Sequence, residues 1–464
     1  MNELENRKDI NQTKDPGRSE VFKMGESPVG KLLLEMAWPA IVSMLIGALY
    51  NIVDSIFVGM LSEEAFTAVS LANPIQLLLI SLNVGTGVGV NSLISRRLGA
   101  QRYDEADQAA GTGFRIAFFN WALFLLFGLF LAHPVMSIYT DNPTLLRDAA
   151  TYLRIVTVLS LFTSVDLEIE KILQSTGSMV WPMIISVSGA VTNIILDPIF
   201  IFGYFGVPRM EVAGAAIATV IGQFVSMTMG LIVFFRRKQA VSIQIKGFHV
   251  NWQVVKDIYA VGLPSVIMQS IGSFMLLGYN RILAENPTAV AVLVAYVQLP
   301  SFVFLPVFGL NQGAMPIMGY NFGARDRKRL MQTYRYGLAA AVIIMGAGLI
   351  LFQTAPGALL RLFSANDSML KIGIPALRRI SLCFLPASFG IITSTLFQGT
   401  GHGVYSLWAS MIRQMFCILP AAYILYHAYG VTASWFSFPL AEIFGVIYSV
   451  ILLIHLYRKE IRNL

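Results

Sequence analysis

The sequence predicts an all-α polytopic membrane protein: twelve transmembrane helices in two pseudo-symmetric six-helix lobes, with both termini cytoplasmic. Three observations predict it. Of 464 residues, 56% are hydrophobic and 13% charged, with a mean hydropathy of +0.66, whereas soluble domains carry about 25% charged residues. Apolar stretches of about 20 residues or more, the length that crosses a bilayer, recur along the chain. Short motifs also repeat at a constant shift of 224 residues.

Residues 1–27 are polar, mix both charge signs and lack the apolar core of a signal peptide, so a disordered cytoplasmic tail is expected. The twelve spans follow at 32–61, 67–96, 107–133, 145–176, 181–205, 212–236, 254–284, 288–320, 328–353, 369–399, 403–428 and 431–457. Loop charge sets their orientation. Arg96, Arg97 and Arg102 follow span 2, Arg236, Arg237 and Lys238 follow span 6, Arg325 to Arg329 follow span 8, and Arg458, Lys459 and Arg462 end the chain. The alternate loops are poorer in bases, Arg361 being a minor exception. By the positive-inside rule the basic face is cytoplasmic, and an inner (cytoplasmic) membrane is the expected location.

The repeat divides the chain. Gln174-Ser-Thr-Gly177 recurs as Gln398-Gly-Thr-Gly401, Leu98-Gly-Ala100 as Phe322-Gly-Ala324, and Gly85 and Gly89 as Gly309 and Gly313. The halves are therefore an N-lobe of residues 28–238 and a C-lobe of residues 254–464, joined by a cytoplasmic linker of residues 239–253. Two like halves about an axis along the membrane normal are the usual layout for alternating access around a cavity between them. The glycines of spans 2 and 8 read either as close helix packing or as bending points.

The most informative stretch is Asn193-Ile-Ile-Leu-Asp197-Pro198. A charge near the bilayer centre costs roughly 2.5–3.5 kcal/mol or more, so an intramembrane Asp is a functional candidate. Asn193 and Asp197 are four residues apart and share a helical face. Pro198 lacks an N–H and leaves the Ile194 carbonyl without its usual partner.

Cys383 and Cys417 both lie in apolar segments, so no disulfide framework or zinc site is indicated. The 33 basic and 26 acidic residues sit mostly in loops, with no basic face for nucleic acid. No P-loop is present.

Several motifs resemble the multidrug and toxic compound extrusion (MATE) family. They are Leu173-Gln-Ser-Thr-Gly177, Pro182-Met183, Asn193-x-x-x-Asp197-Pro198-x-Phe200-Ile-Phe-Gly203 and Gly214-Ala-Ala-Ile-Ala-Thr219, supported by Tyr50-Asn51-x-x-Asp54 and Ser95-Arg-Arg-Leu-Gly99-Ala100. Within the family the chain is similar to bacterial multidrug exporters near the DinF-like members. The resemblance implies a monomeric antiporter, not an enzyme, that exports organic, often cationic compounds in exchange for protons or sodium ions, with membrane lipid as its surroundings and no cofactor. It implies a coupling site at Asp54, Asn193, Asp197 and Thr219. Another branch places cation carboxylates in spans 7 and 10; here span 7 offers Tyr279 and Arg281, and span 10 has no Asp or Glu, which argues against a C-lobe sodium site.

Depth supports the four-residue grouping independently: all lie roughly 10 Å below the outer surface at 1.5 Å per residue. Two carboxylates close together in a low-dielectric site need a proton or a cation to relieve their repulsion. The repeat carries Asp54 to Tyr279, Asn193 to Cys417 and Asp197 to Ala421, so the polar site belongs to the N-lobe alone. The C-lobe is expected to offer an apolar, aromatic wall.

Asp166, Glu168 and Glu170, beside Lys171, are candidates for attracting cationic substrates or for ion pairs with loop arginines. Glu442, alone in span 12, is a candidate proton or substrate carboxylate, and Tyr279 a candidate substrate contact. Two rivals remain at this point. A lipid-linked oligosaccharide flippase needs a cationic central cavity, and a membrane-embedded transferase needs clustered Asp or His at a membrane face and usually a catalytic loop, which the short loops here disfavour.

Overall fold

A computed structural model describes residues 16–243, 251–362 and 366–464. Residues 1–15 of the expected tail and 244–250 of the expected linker lie outside the described residues. Ten segments are long and apolar enough to cross a membrane, and two further helix pairs each form one bent span, which makes twelve. The architecture is helical throughout the described residues, in two lobes.

The N-half spans are Val29–Leu61, Glu63–Gly99, Tyr103–Phe130, the pair Pro143–Val158 with Leu161–Ser175, Val180–Phe202 and Glu211–Arg236. The C-half spans are Trp252–Leu283, Pro287–Gly323, Arg327–Thr354, the pair Asp367–Ser381 with Phe384–Gly399, Gly403–Tyr429 and Val431–Asn463. Polar caps start many of them: Ser62 Oγ accepts from Ala65 N at 3.0 Å, and Asn142, Asn251, Asn286, Asp326 and Asn366 serve likewise. These side chains satisfy backbone donors that the first helical turn leaves free.

The internal repeat is visible in detail. Spans 4 and 10 both bend by 47°. Gly177 and Gly401, at the ends of the two repeated motifs, have φ of +90° and +92°, and Gln101 and Arg325 both have φ of +57°. A left-handed φ suits glycine, which has no Cβ to clash.

Repeated glycines join the halves. A Cβ built on Gly89 would lie 2.2 Å from the Ile258 carbonyl oxygen, and one on Gly313 2.8 Å from Ala37 N. Span 2 thus packs on span 7, and span 8 on span 1, backbone against backbone. Nearer the basic face, Gly99 meets Tyr320 O and Gly323 meets Arg96 O at 1.9 and 2.0 Å from such a Cβ. The close-packing reading of these glycines is what the contacts show.

One expectation is overturned. Residues Pro16–Glu26 form a helix rather than disordered tail. Val21 and Met24 are buried; Asn321 and Arg329 donate to the Met24 carbonyl at 3.1 Å each, and Arg329 to the Ser27 carbonyl at 2.7 Å. A Cβ on Gly177 would lie 3.1 Å from Glu20 O, so this helix touches both halves at the basic face.

Candidate functional site

Spans 5 and 6 approach closely because Gly189, Gly222 and Gly214 remove side chains from their interface; a Cβ on Gly189 would sit 2.0 Å from Ser226 Oγ. That approach brings Asn193, Asp197 and Thr219 together. Asn193 Nδ2 donates to Asp197 Oδ1 and to Thr219 Oγ1, each at 3.3 Å. Span 1 packs on span 5, with Phe57 edge-on to Phe202 at 6.5 Å, and places the Asp54 carboxyl within hydrogen-bond reach of Asp197. The structure therefore brings together all four residues expected of the site. Asp197, Asn193 and Thr219 are 0, 2 and 6% exposed, which excludes bulk water.

The cluster is short of donors. Asp54 Oδ1, Asn193 Oδ1 and Asp197 Oδ2 are buried without a hydrogen-bond partner, and neither carboxylate enters an ion pair among the described residues. Buried oxygens without donors are costly. An oxygen-only set of this kind fits a proton or a hard monovalent cation, either of which removes the repulsion between the two carboxylates. Sequence reasoning missed two neighbours, Tyr50 and Tyr152, whose phenols lie close to both carboxylates; Gln76 holds the Tyr152 hydroxyl at 3.2 Å. Tyr50 is one helical turn before Asp54 and was within reach of spacing arguments, whereas Tyr152 comes from span 4 through tertiary packing.

Span 1 also faces a cavity of about 1050 Å³ between the halves. Asn51, Ser55, Glu170 and Ser186 line one side, and Gln298 and Phe302 the other. Gln174 and Gln312 connect it to a further cavity of about 370 Å³, bordered by Gln269, Asn311, Gln398, Arg413, Gln414 and Glu442. On the C-lobe side these amides and charges stand among Met268, Phe308, Met315 and Ile391, so the expected apolar wall carries polar groups as well.

The remaining candidates fall differently. Glu442 is not alone: Arg413 Nη1 lies 3.1 Å from its Oε1. Arg413 was missed, although an intramembrane base is as conspicuous as an intramembrane acid. It stands in a π-helical stretch, Ile412–Ile418, just before Pro420, where the missing proline N–H unsettles the α-helical ladder. Tyr279 lines neither of these cavities; it is fully buried, donates to the Ser434 carbonyl at 2.8 Å and stacks on Trp435. Asp166, Glu168 and Glu170 are buried and take no loop arginine among the described residues. Ser186 donates to Glu170, while Lys171 Nζ donates to Gln174 and Gln312 at 2.9 and 3.1 Å.

Comparison with known proteins identifies the family. The MatE family pattern matches residues 39–199 and 262–424. The chain is 25% identical over 425 residues to Multidrug export protein MepA of Staphylococcus haemolyticus (strain JCSC1435), covering 91% of this chain and 93% of that protein. It is 24% identical over 444 residues to MepA of Staphylococcus aureus (strain MRSA252), covering 95 and 97%. Its fold is similar, with a TM-score of 0.88 and 25% identity over 96% of this chain and 99% of the other, to a multidrug resistance MATE family transporter of the MOP superfamily in an outward-facing conformation. The chain is a multi-pass membrane protein and belongs to the MATE family of transporters.

Proposed function

We propose that the protein is a secondary active multidrug exporter, which moves organic, often cationic compounds out of the cell in antiport with protons or sodium ions. The observation that carries this is the buried Asp54–Asp197 pair, with Asn193 and Thr219, held by span 1 beside the residues with which that helix lines the cavity between the lobes. Asn51 and Ser55 line that cavity while Asp54 between them reaches Asp197. Filling or emptying the cation site therefore changes the packing of a helix that is also a cavity wall, and a ligand shifts a conformational balance only through such differential contacts.

Loop charge orients the chain with its basic face in the cytoplasm and both termini there. On that orientation the glycine contacts of spans 2 and 8 seal the lobes on the cytoplasmic side, and the cavity, rimmed by Ile56 and Phe66, faces outward. The flippase alternative needs an uncompensated cationic cavity; here Arg413 is paired with Glu442, and Lys171 stands among three carboxyls.

The test is export of a fluorescent organic cation from cells expressing Asp54→Asn or Asp197→Asn. Both variants are expected to reach the membrane and to lose export. Wild-type export by both overturns the site.

A further inference from the structure

Span 4 carries Asp166, Glu168, Glu170 and Lys171, all at least 91% buried. Three carboxyls thus face one ammonium in a low-dielectric setting. Lys171 spends two of its donors on amide oxygens of Gln174 and Gln312 rather than on a carboxylate, and no ion pair among the described residues involves any of the four. Asp166 Oδ1 and Glu168 Oε1 have no hydrogen-bond partner. Uncompensated buried charge of this kind is strongly unfavourable, so the cluster needs about two added positive charges to approach neutrality.

The geometry separates the acids. Asp166 and Glu170, one helical turn apart, share a face and interact with one another; Glu170 also takes a hydrogen bond from Ser186 of span 5 and borders the large cavity. Glu168 turns toward Gly113 of span 3 and Val90 of span 2, where a Cβ on Gly113 would lie 2.2 Å from its Oε1. The other elements packed around span 4 contribute Tyr259 of span 7, near Glu168, Gln312 of span 8, and Gly230 of span 6 against Ile169. Lys171 rests on Gly87 of span 2. Among the described residues none of these neighbours is a second fixed cation.

The geometry points to a second proton-binding site, formed by Asp166 and Glu170 and reached from the central cavity through Glu170, apart from the Asp54–Asp197 pair. An organic cation entering the cavity pairs with the Glu170 carboxylate, and the proton that carboxyl held leaves to cavity water. The span 4 site thus exchanges proton for substrate directly, while the Asp54 site acts through helix packing. Its contribution to a transport cycle rests on the exporter reading; proton binding at the site does not.

Proton release measured at equilibrium tests this. Purified full-length protein in weakly buffered detergent receives tetraphenylphosphonium, a permanent cation that brings no proton, and a pH dye reports release per ligand bound. By linkage about one proton per bound cation is expected from span 4. Release is expected to persist in Asp54→Asn/Asp197→Asn and to fall at least fivefold when Glu170→Gln is added. Asp166→Asn, a second variant for the case that Glu170→Gln does not fold, is expected to lower it as well. Should the Asp54/Asp197 variant not bind the cation, the single Glu170→Gln variant decides, with an expected loss of about one proton relative to wild type. Release that disappears in the Asp54→Asn/Asp197→Asn protein while binding continues, or that Glu170→Gln leaves unaltered, overturns the proposal. No flux is involved, so a failure to transport would count against the exporter reading and leave this result intact.

Discussion

Gly99→Ala perturbs the closure of the two lobes at a single methyl group. In the closed arrangement the new Cβ would sit 1.9 Å from Tyr320 O, 2.7 Å from its carbonyl carbon and 3.0 Å from Ala324 N, all backbone atoms. Ordinary contact begins at 3.4 Å, so spans 2 and 8 must separate by 1.5 Å there. Overpacking of this kind costs about 1–3 kcal/mol, and it falls only on the state in which the two backbones touch. The closed state is then depopulated about 5- to 150-fold relative to its alternative. Ser55→Cys, on the cavity wall, reports this in a Cys383→Ser/Cys417→Ser background through its reaction with an impermeant maleimide added outside right-side-out vesicles. Labelling is expected to slow with Gly99→Ala, by up to that factor, and to stay unchanged with Gly59→Ala, where the nearest atom is 3.9 Å from the new Cβ. Wild-type labelling and export by Gly99→Ala would refute the argument that this contact closes the lobes.

Other outcomes follow from single contacts. Arg413→Met strands Glu442; removal of one partner from a buried pair costs about 3–5 kcal/mol, with the lower end expected because Arg413 keeps 24% of its side chain exposed, and thermal unfolding in detergent measures the loss. Arg413→Met with Glu442→Leu is expected to recover most of that stability. Tyr279→Phe is expected to lower C-lobe stability by about 1–3 kcal/mol, from the unsatisfied Ser434 carbonyl, without changing export per folded molecule. Gly401→Ala puts a Cβ at a φ of +92° and against the Arg96 guanidinium; the left-handed backbone alone costs about 1–2 kcal/mol, and reduced membrane abundance checks it.

The sequence made the fold legible where one physical constraint acts alone. Span number follows from the length of apolar stretches, and the repeat from motifs that reappear as matched geometry, as with Gly177 and Gly401. The four-residue polar cluster was legible in part for a similar reason: an Asp and an Asn in an apolar helix are conspicuous, whereas Asp54 and Thr219 were named by the family resemblance and then found by depth to share their layer. The bend at Leu159–Ser160 was not legible, because no proline or glycine marks it. Packing of the Pro16–Glu26 helix depends on Asn321 and Arg329, some 300 residues away, and local polarity gave no hint of it. Tyr279 was singled out by the repeat register, which equates positions without equating environments; in the C-lobe that position is filled by an aromatic stack with Trp435 and Phe438. Arg413 and Glu442 were separable only in space, since their pairing joins spans 11 and 12.

Flux of a fluorescent organic cation in proteoliposomes under an imposed proton gradient or an imposed sodium gradient tests the central claim most directly. At least one gradient is expected to drive uphill movement, and Asp54→Asn or Asp197→Asn to remove it. Flux that responds to neither gradient would rule out antiport with protons or sodium ions.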